Sequence, residues 1–326
     1  MKNLFLLICS LVLATSTTPI DFVNHEQLLL DAHRAKEKNE TKIALSLYEK
    51  AFQIHDDNTT GEYLDAAVCA AELNNRISCS KWIIEAIIKN KASKKYIAKF
   101  SKNRLYQESV TKILIDYNLY LEKFYENIEN PMVYFKIQKL INRDQFVRKA
   151  NDLYLGITDE QKAIAYEKVL EYQKPEDSLM RKKLWAILRP DLKGEYKEYN
   201  ETVRINADSL NIVELIKITK EHGWNKQAWI LLWHQRDTYG KKNWVWDYFK
   251  PFINREIEEG RIKPSFWAIF EDLSSIQKTG TSIYGYHPGK VNSETVNKMR
   301  EKIGLPLLTE TEIKHRNNNP FGGRTF

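Results

Sequence analysis

The chain has 326 residues, with 50 Lys and Arg against 43 Asp and Glu for a formal charge of +7, and only 12 glycines and 9 prolines. Breakers at about half of average usage leave too few turns for a many-stranded β protein, and they exclude collagen-like and proline-rich disordered classes. With 43% hydrophobic and 12% aromatic residues the chain carries the material for a sizeable core, and the basic excess bounds its partners without naming one. The expected class is all-α.

Residues 1–16 read as a signal peptide: Lys2 supplies the basic start, Leu4 to Leu13 the apolar run, and Ala14 and Ser16 the small residues of a cleavage site. The apolar run is too short to span a bilayer as a helix. Cys9 does not suit a lipoprotein reading, because bulky Ile8 precedes it and the apolar run continues past it. No later stretch is long and apolar enough to cross a membrane, so the mature protein is expected to be soluble and exported, periplasmic or secreted. Its remaining cysteines are Cys69 and Cys79.

A shift of 35 residues places Ala32 on Ala67, Ala44 on Cys79, Tyr48 on Ile83 and Ala51 on Ala86, so small residues recur where helices must approach closely. The run Ala44-Leu45-Ser46-Leu47-Tyr48-Glu49-Lys50-Ala51-Phe52 resembles the second helix of a tetratricopeptide repeat, whose period is close to this shift. Two such hairpins are recognisable from Glu26 to Asn90. Each leaves an apolar face that a neighbour must cover, so the helices that follow are expected to act as a cap. The resemblance implies a protein or peptide ligand for residues 17–129.

In that alignment Cys69 lies late in one helix and Cys79 early in its antiparallel partner, with Asn74-Asn75 as the turn. Two readings stand side by side: a disulfide stapling the hairpin in an oxidising compartment, or two small buried thiols. From Lys89 to Arg104 there is no acidic residue, and helical phase would put Lys91, Lys95, Lys99 and Lys102 on one face. The default reading is a solvated cap. The functional one is a stripe facing acidic protein, glycan or lipid headgroups, with nucleic acid last because export removes the protein from most of it. One long helical pattern then runs through Ile113, Leu114, Tyr117, Leu121, Phe124 and Tyr125 and breaks at Asn130-Pro131, the expected boundary with a second all-helical domain over 130–326.

That second part reads as helix after helix, with loops at Gly156, Lys174-Pro175, Arg189-Pro190, Gly223, Gly240, Gly260 and Pro264, and tryptophans at Trp224, Trp229, Trp233, Trp244, Trp246 and Trp267. The ordered fragments Asp144-Gln145-Phe146-Val147-Arg148, Ala207-Asp208-Ser209-Leu210-Asn211, Glu221-His222-Gly223-Trp224, Ala228 to His234, Asp272, Tyr284-Gly285, and Arg300 with Gly304-Leu305-Pro306-Leu307 together resemble an uncharacterised bacterial family, domain of unknown function six-six-two-four. Ser282, Tyr286 and His287 depart from that family's usual Gln, Thr or Ser, and Gln. The resemblance implies a set of positions and no activity.

The chemistry must then come from the residues. His234 follows a stretch, Ala228 to Trp233, that is apolar around the whole helical circumference, so it is predicted to be buried and to need partners. Asp237, three residues on, and Asp272, on a later aromatic helix, are the acidic candidates. Read as chemistry, His234 is a general base oriented by Asp237 or Asp272, while Gln145 or Arg148 holds an anionic or amide-bearing substrate. His222, Trp224, Trp229 and Tyr284 complete the candidate binding set. Read as architecture, the same groups form a buried polar network. His222 and His234 are too far apart for one helical turn and there is no HExxH, so no metal is expected. The absence of GxSxG, Walker and dinucleotide patterns leaves no cofactor to expect. Lys278 to Lys290 is expected to be a flexible lid or connection, and the tail from Lys314 to Phe326 to fray. Two functions follow: an exported interaction protein, or an exported hydrolase using His234.

Overall fold

The computed structural model describes residues 19–56, 58–171, 178–188, 194–287 and 289–318. Residues 1–18, among them the segment read as a signal peptide, the expected loops at Lys174-Pro175 and Arg189-Pro190, and residues 319–326 lie outside the described residues. The fold is all-α, with sixteen α-helices and one two-stranded parallel pair among those residues. None of these helices is long and apolar enough to cross a membrane.

Helices α1 (Pro19–Glu37) and α2 (Thr41–Ile54) form one hairpin, and α3 (Thr60–Glu72) and α4 (Arg76–Asn90) a second, with α2 packed on α3. The hairpins turn at Asn39 and Asn74, both with φ near +57° (58° and 56°), a left-handed conformation that Asn tolerates better than most residues. Thr59 and Glu62 form a reciprocal capping box that starts α3, and the Asn75 side chain caps α4. Ala32, Ala44, Ala51, Ala66, Ala67, Ala70 and Ala86 are wholly buried along the seams. Their small side chains let the backbones approach, and Tyr48, Leu64, Ile83 and Ile87 fill the space between.

The basic segment departs from its expected geometry. Lys91 takes a left-handed conformation (φ 54°) that ends α4, and α5 (Lys94–Phe100) is a separate short helix. Its start is set by Ser93, whose hydroxyl accepts from the Tyr96 amide, and Asn103 likewise starts α6 (Arg104–Ile115). The four lysines therefore share no helical face. Lys95 and Lys99 are exposed on α5 and Lys102 lies in the connection. The Lys91 ammonium lies over the rings of Tyr125, Tyr134 and Phe124, at 5.0, 5.9 and 6.0 Å. The long pattern after Arg104 is likewise two helices, α6 and α7 (Tyr117–Glu126), divided at Asp116.

Asn130 caps α8 (Pro131–Tyr154) through the Val133 amide. Helix α8 packs along α11 (Gly194–His222), while α9 (Asp159–Glu171) and α10 (Ser178–Leu188) pack on each other. Ile137, Leu140, Leu215, Phe249, Ile253 and Phe270 form a second core with Trp224 and Trp246, joined by α12 (Trp229–Trp233), α13 (Trp244–Glu258) and α14 (Ala268–Thr279). Trp229 is the exception to the expected burial of this stretch, at 43% exposed, because α12 is one turn long and lies at the rim.

The segment after α14 is anchored, not a loose lid. Strand β1 (Thr281–Ser282) pairs with β2 (Lys290–Val291). The tail is also ordered through α16 (Glu310–Asn318), which follows α15 (Val296–Lys302) and buries Ile313 and Arg316. This C-terminal unit meets α1. Arg34 grips Glu312 with two hydrogen bonds (2.8 and 3.1 Å) and also donates to the Leu307 carbonyl. Glu26 pairs with Lys263. Gly304, at φ 68°, presses its backbone on Val23, where a Cβ would lie 2.7 Å from a valine methyl.

Candidate functional site

His234 sits just past the single turn of α12, and its partner comes from α8. Its Nδ1–H donates to Asp144 Oδ1 at 2.9 Å, which leaves the lone pair of a neutral ring on Nε2. Asp144 is 1% exposed, and it also receives Arg148 Nη1 at 2.8 Å and Gln145 Nε2 at 2.8 Å. Arg148 reaches on to both oxygens of Asp208 on α11, at 3.0 and 3.1 Å. Burial raises the Asp208 carboxyl above the ordinary value, against the pull of the Arg148 guanidinium. One polar network thus ties α8, α11 and α12 together, with the His234 side chain 13% exposed and Nε2 making no hydrogen bond among the described residues.

Neither acidic partner expected for His234 is the one it uses. Asp237 is exposed and accepts only a long contact (3.5 Å) from Gln277, because the chain leaves α12 in a 3-10 turn and does not continue the helical phase. Asp272 is fully buried and accepts four backbone N–H groups, from Ile283 and Tyr284 on one oxygen and Tyr286 and His287 on the other, at 2.7–2.9 Å. Arg300, 1% exposed, completes this second network by donating to the carbonyls of Tyr284 and Pro306. Burial, with Arg316 nearby, lowers the Arg300 guanidinium to about 10.

The remaining candidates separate. Tyr284 is buried with its hydroxyl on Glu271, and Trp224 packs edge-on against Phe249 and Phe266 in the core. His222 ends α11 at the surface beside Glu221, with Gly223 at φ 79° after it. Trp229 stands beside Trp233. Among the described residues no group of three or more His, Cys, Asp and Glu side chains is placed to hold a metal ion. Asp144, itself held by Arg148 and Gln145, orients the His234 imidazole, and Nε2 is the atom through which such a ring would act as a base.

Cys69 and Cys79 are both buried free thiols, which corrects the disulfide expectation. Cys79 on α4 lies within hydrogen-bond reach of the Ser109 hydroxyl of α6. Burial pushes the Cys69 thiol up to about 12 and raises that of Cys79, so both are protonated near neutrality.

A second site was not anticipated from the sequence. A groove of about 440 Å³ runs between α2 and α4 over α3. Phe52, Tyr63 and Trp82 wall it, with Phe52 centred 4.7 Å from Tyr63 and 4.9 Å from Trp82. Asn58, hydrogen-bonded to both His25 and the Tyr63 hydroxyl, fixes the floor. Glu49 and Glu85 flank it, three residues from Phe52 and Trp82 on their own helices, and neither makes an ion pair or hydrogen bond among the described residues. The i, i+3 spacing of a carboxylate and a ring, Glu49 with Phe52 on α2 and Trp82 with Glu85 on α4, was the available signal.

Compared with family models, curated proteins and solved structures, the chain has no match.

Proposed function

We propose that the protein is an exported interaction protein whose first half, two tetratricopeptide-like hairpins and their cap, holds a protein or peptide in the α2–α4 groove. The observation that carries this reading is the groove itself: three packed aromatic rings, with Tyr63 held by Asn58, beside two carboxylates that make no ion pair or hydrogen bond among the described residues. Aromatic surface with polar groups at its edge suits a ligand side chain better than it suits solvent. The 35-residue separation of the Asn39 and Asn74 turns supports the repeat reading.

In the second half, the fragments that resemble domain of unknown function six-six-two-four supply both buried networks: Asp144, Arg148, Asp208 and His234 build one, and Asp272, Tyr284, Arg300 and Pro306 the other. Their shared role in fixing helix crossings favours architecture over catalysis for most of them. One observation favours a second reading, a hydrolase: His234 is oriented by Asp144 and keeps a ring nitrogen without a protein partner.

The test of the first reading is a displayed random-peptide selection on the purified protein, run in parallel on the Phe52→Ala variant. Peptides enriched on the native chain and lost on the variant support the groove. Enrichment of the same peptides on both would defeat it. Export is tested by N-terminal sequencing of the mature product, expected to begin at Thr17.

A further inference from the structure

The geometry points to a cation as the group this groove recognises: we propose that it binds the guanidinium or ammonium of a basic side chain in a peptide. The inference rests on the interaction reading above and names its ligand chemistry. Three observations converge on it.

The first is the wall. Aromatic ring faces carry negative quadrupole potential, which attracts a cation held over them, and of the three rings Phe52 is the half-buried one a ligand reaches, with Tyr63 and Trp82 packed behind it at 3% and 5% exposed. The second is the charge state of the flanks. Of the carboxylates lining the groove, Asp56 has Lys89 within 3.8 Å, whereas Glu49 and Glu85 have no cationic partner among the described residues. A guanidinium suits such a site, because it stacks on a ring while its edge donates to carboxylates. The third is internal. The chain's own Lys81 already places its ammonium 4.1 Å from the centre of the Trp82 ring, and it makes no ion pair among the described residues. That ammonium stands where a ligand cation would stand, so Lys81 acts as a tethered competitor. Of the two lining cations, Lys89 lies within 3.8 Å of Asp56 and Lys81 lies over Trp82, so an anionic ligand would have to draw Lys81 off its ring and would meet Glu49 and Glu85 beside it.

The experiment uses the purified full protein and three end-blocked pentapeptides, Gly-Gly-Arg-Gly-Gly and its citrulline and glutamate counterparts, titrated by nuclear magnetic resonance or calorimetry. Citrulline keeps the shape of arginine and removes its charge, so the comparison requires no change to the fold. The arginine peptide is expected to bind at least tenfold more tightly than the citrulline peptide, and the glutamate peptide not at all. The double variant Glu49→Gln, Glu85→Gln is expected to lower arginine-peptide affinity about tenfold with an unchanged circular dichroism melt, whereas Lys81→Met is expected to raise it by removing the competitor. Equal binding of arginine and citrulline peptides, both lost on Phe52→Ala, would overturn the cation inference and leave the interaction reading standing. Binding of none of these peptides, together with a display selection that does not distinguish native from Phe52→Ala, would overturn both. Spermidine competing as strongly as the arginine peptide itself would overturn the peptide as the source of the cation.

Discussion

Replacing Asp272 by Asn separates a loop anchor from a catalytic acid. The buried carboxylate accepts four backbone N–H groups, two on each oxygen, at 2.7–2.9 Å. Asparagine keeps one oxygen and turns an NH₂ toward the other two donors, so two charge-assisted bonds are lost and donor faces donor. At about 1.5–3 kcal/mol for each bond to a charged group, the expected cost is about 3–6 kcal/mol. The neighbouring Arg300 and Arg316 would also lose the carboxylate charge that favours their ionised forms. Amide hydrogen exchange reads the effect where it originates: the amides of Ile283, Tyr284, Tyr286 and His287 should exchange at least a hundredfold faster in Asp272→Asn, with those of α3 and α4 unchanged. Loss of a turnover with exchange at these four amides unaltered would refute the anchor and restore Asp272 to a site.

Other outcomes follow from particular contacts. Gly304→Ala should weaken the seat of α1 on the C-terminal unit by about 1–3 kcal/mol, since it strains a positive φ and drives a Cβ into Val23, and adding Val23→Ala should recover part of the loss in thermal melts. Glu26 is buried, which alone would raise its carboxyl, but His25 and Lys263 together hold it down at about 2. Because that folded value lies below the unfolded value near 4.5, its stabilisation is full above about pH 4.5 and is lost as pH falls toward 2. In Lys263→Met, burial should prevail and the acid loss of melting temperature should begin at higher pH; an unchanged profile would contradict the pairing. Neither Cys69 nor Cys79 should react with a thiol reagent in the folded protein at pH 8, and both should titrate without reductant once it is unfolded. His234→Ala should cost about 1–2 kcal/mol by leaving part of the Asp144 network unmet, while leaving groove ligands bound.

The all-α class was legible because helices need few breakers, and Gly156, Gly223, Gly240 and Gly260 do turn the chain with positive φ where loops were expected. The basic stripe was misread because periodicity was followed through two cap signals. Ser93 and Asn103 each offer a side-chain acceptor to the amide three residues on, and those local bonds restart the helix. Helical phase offers Asp237 as a partner of His234, but the one-turn helix ends before that phase is reached, and Asp272, the other acidic candidate, is committed to four backbone amides. Asp144 lies 90 residues upstream, and no local rule reports a pairing across that distance. The closure of α1 on the C-terminal unit, through Arg34 and Glu312 at a separation of 278 residues, was illegible for the same reason. The groove escaped notice because Phe52, Tyr63 and Trp82 sit on three different helices and converge only once the hairpins stack.

The most direct test of an interaction protein working through the α2–α4 groove is the affinity of a selected groove peptide for three proteins: native, Phe52→Ala and His234→Ala. The account predicts at least a tenfold loss on Phe52→Ala and no change on His234→Ala, with both variants folded. Full affinity on Phe52→Ala and its loss on His234→Ala would contradict it and place the binding site in the second half of the chain.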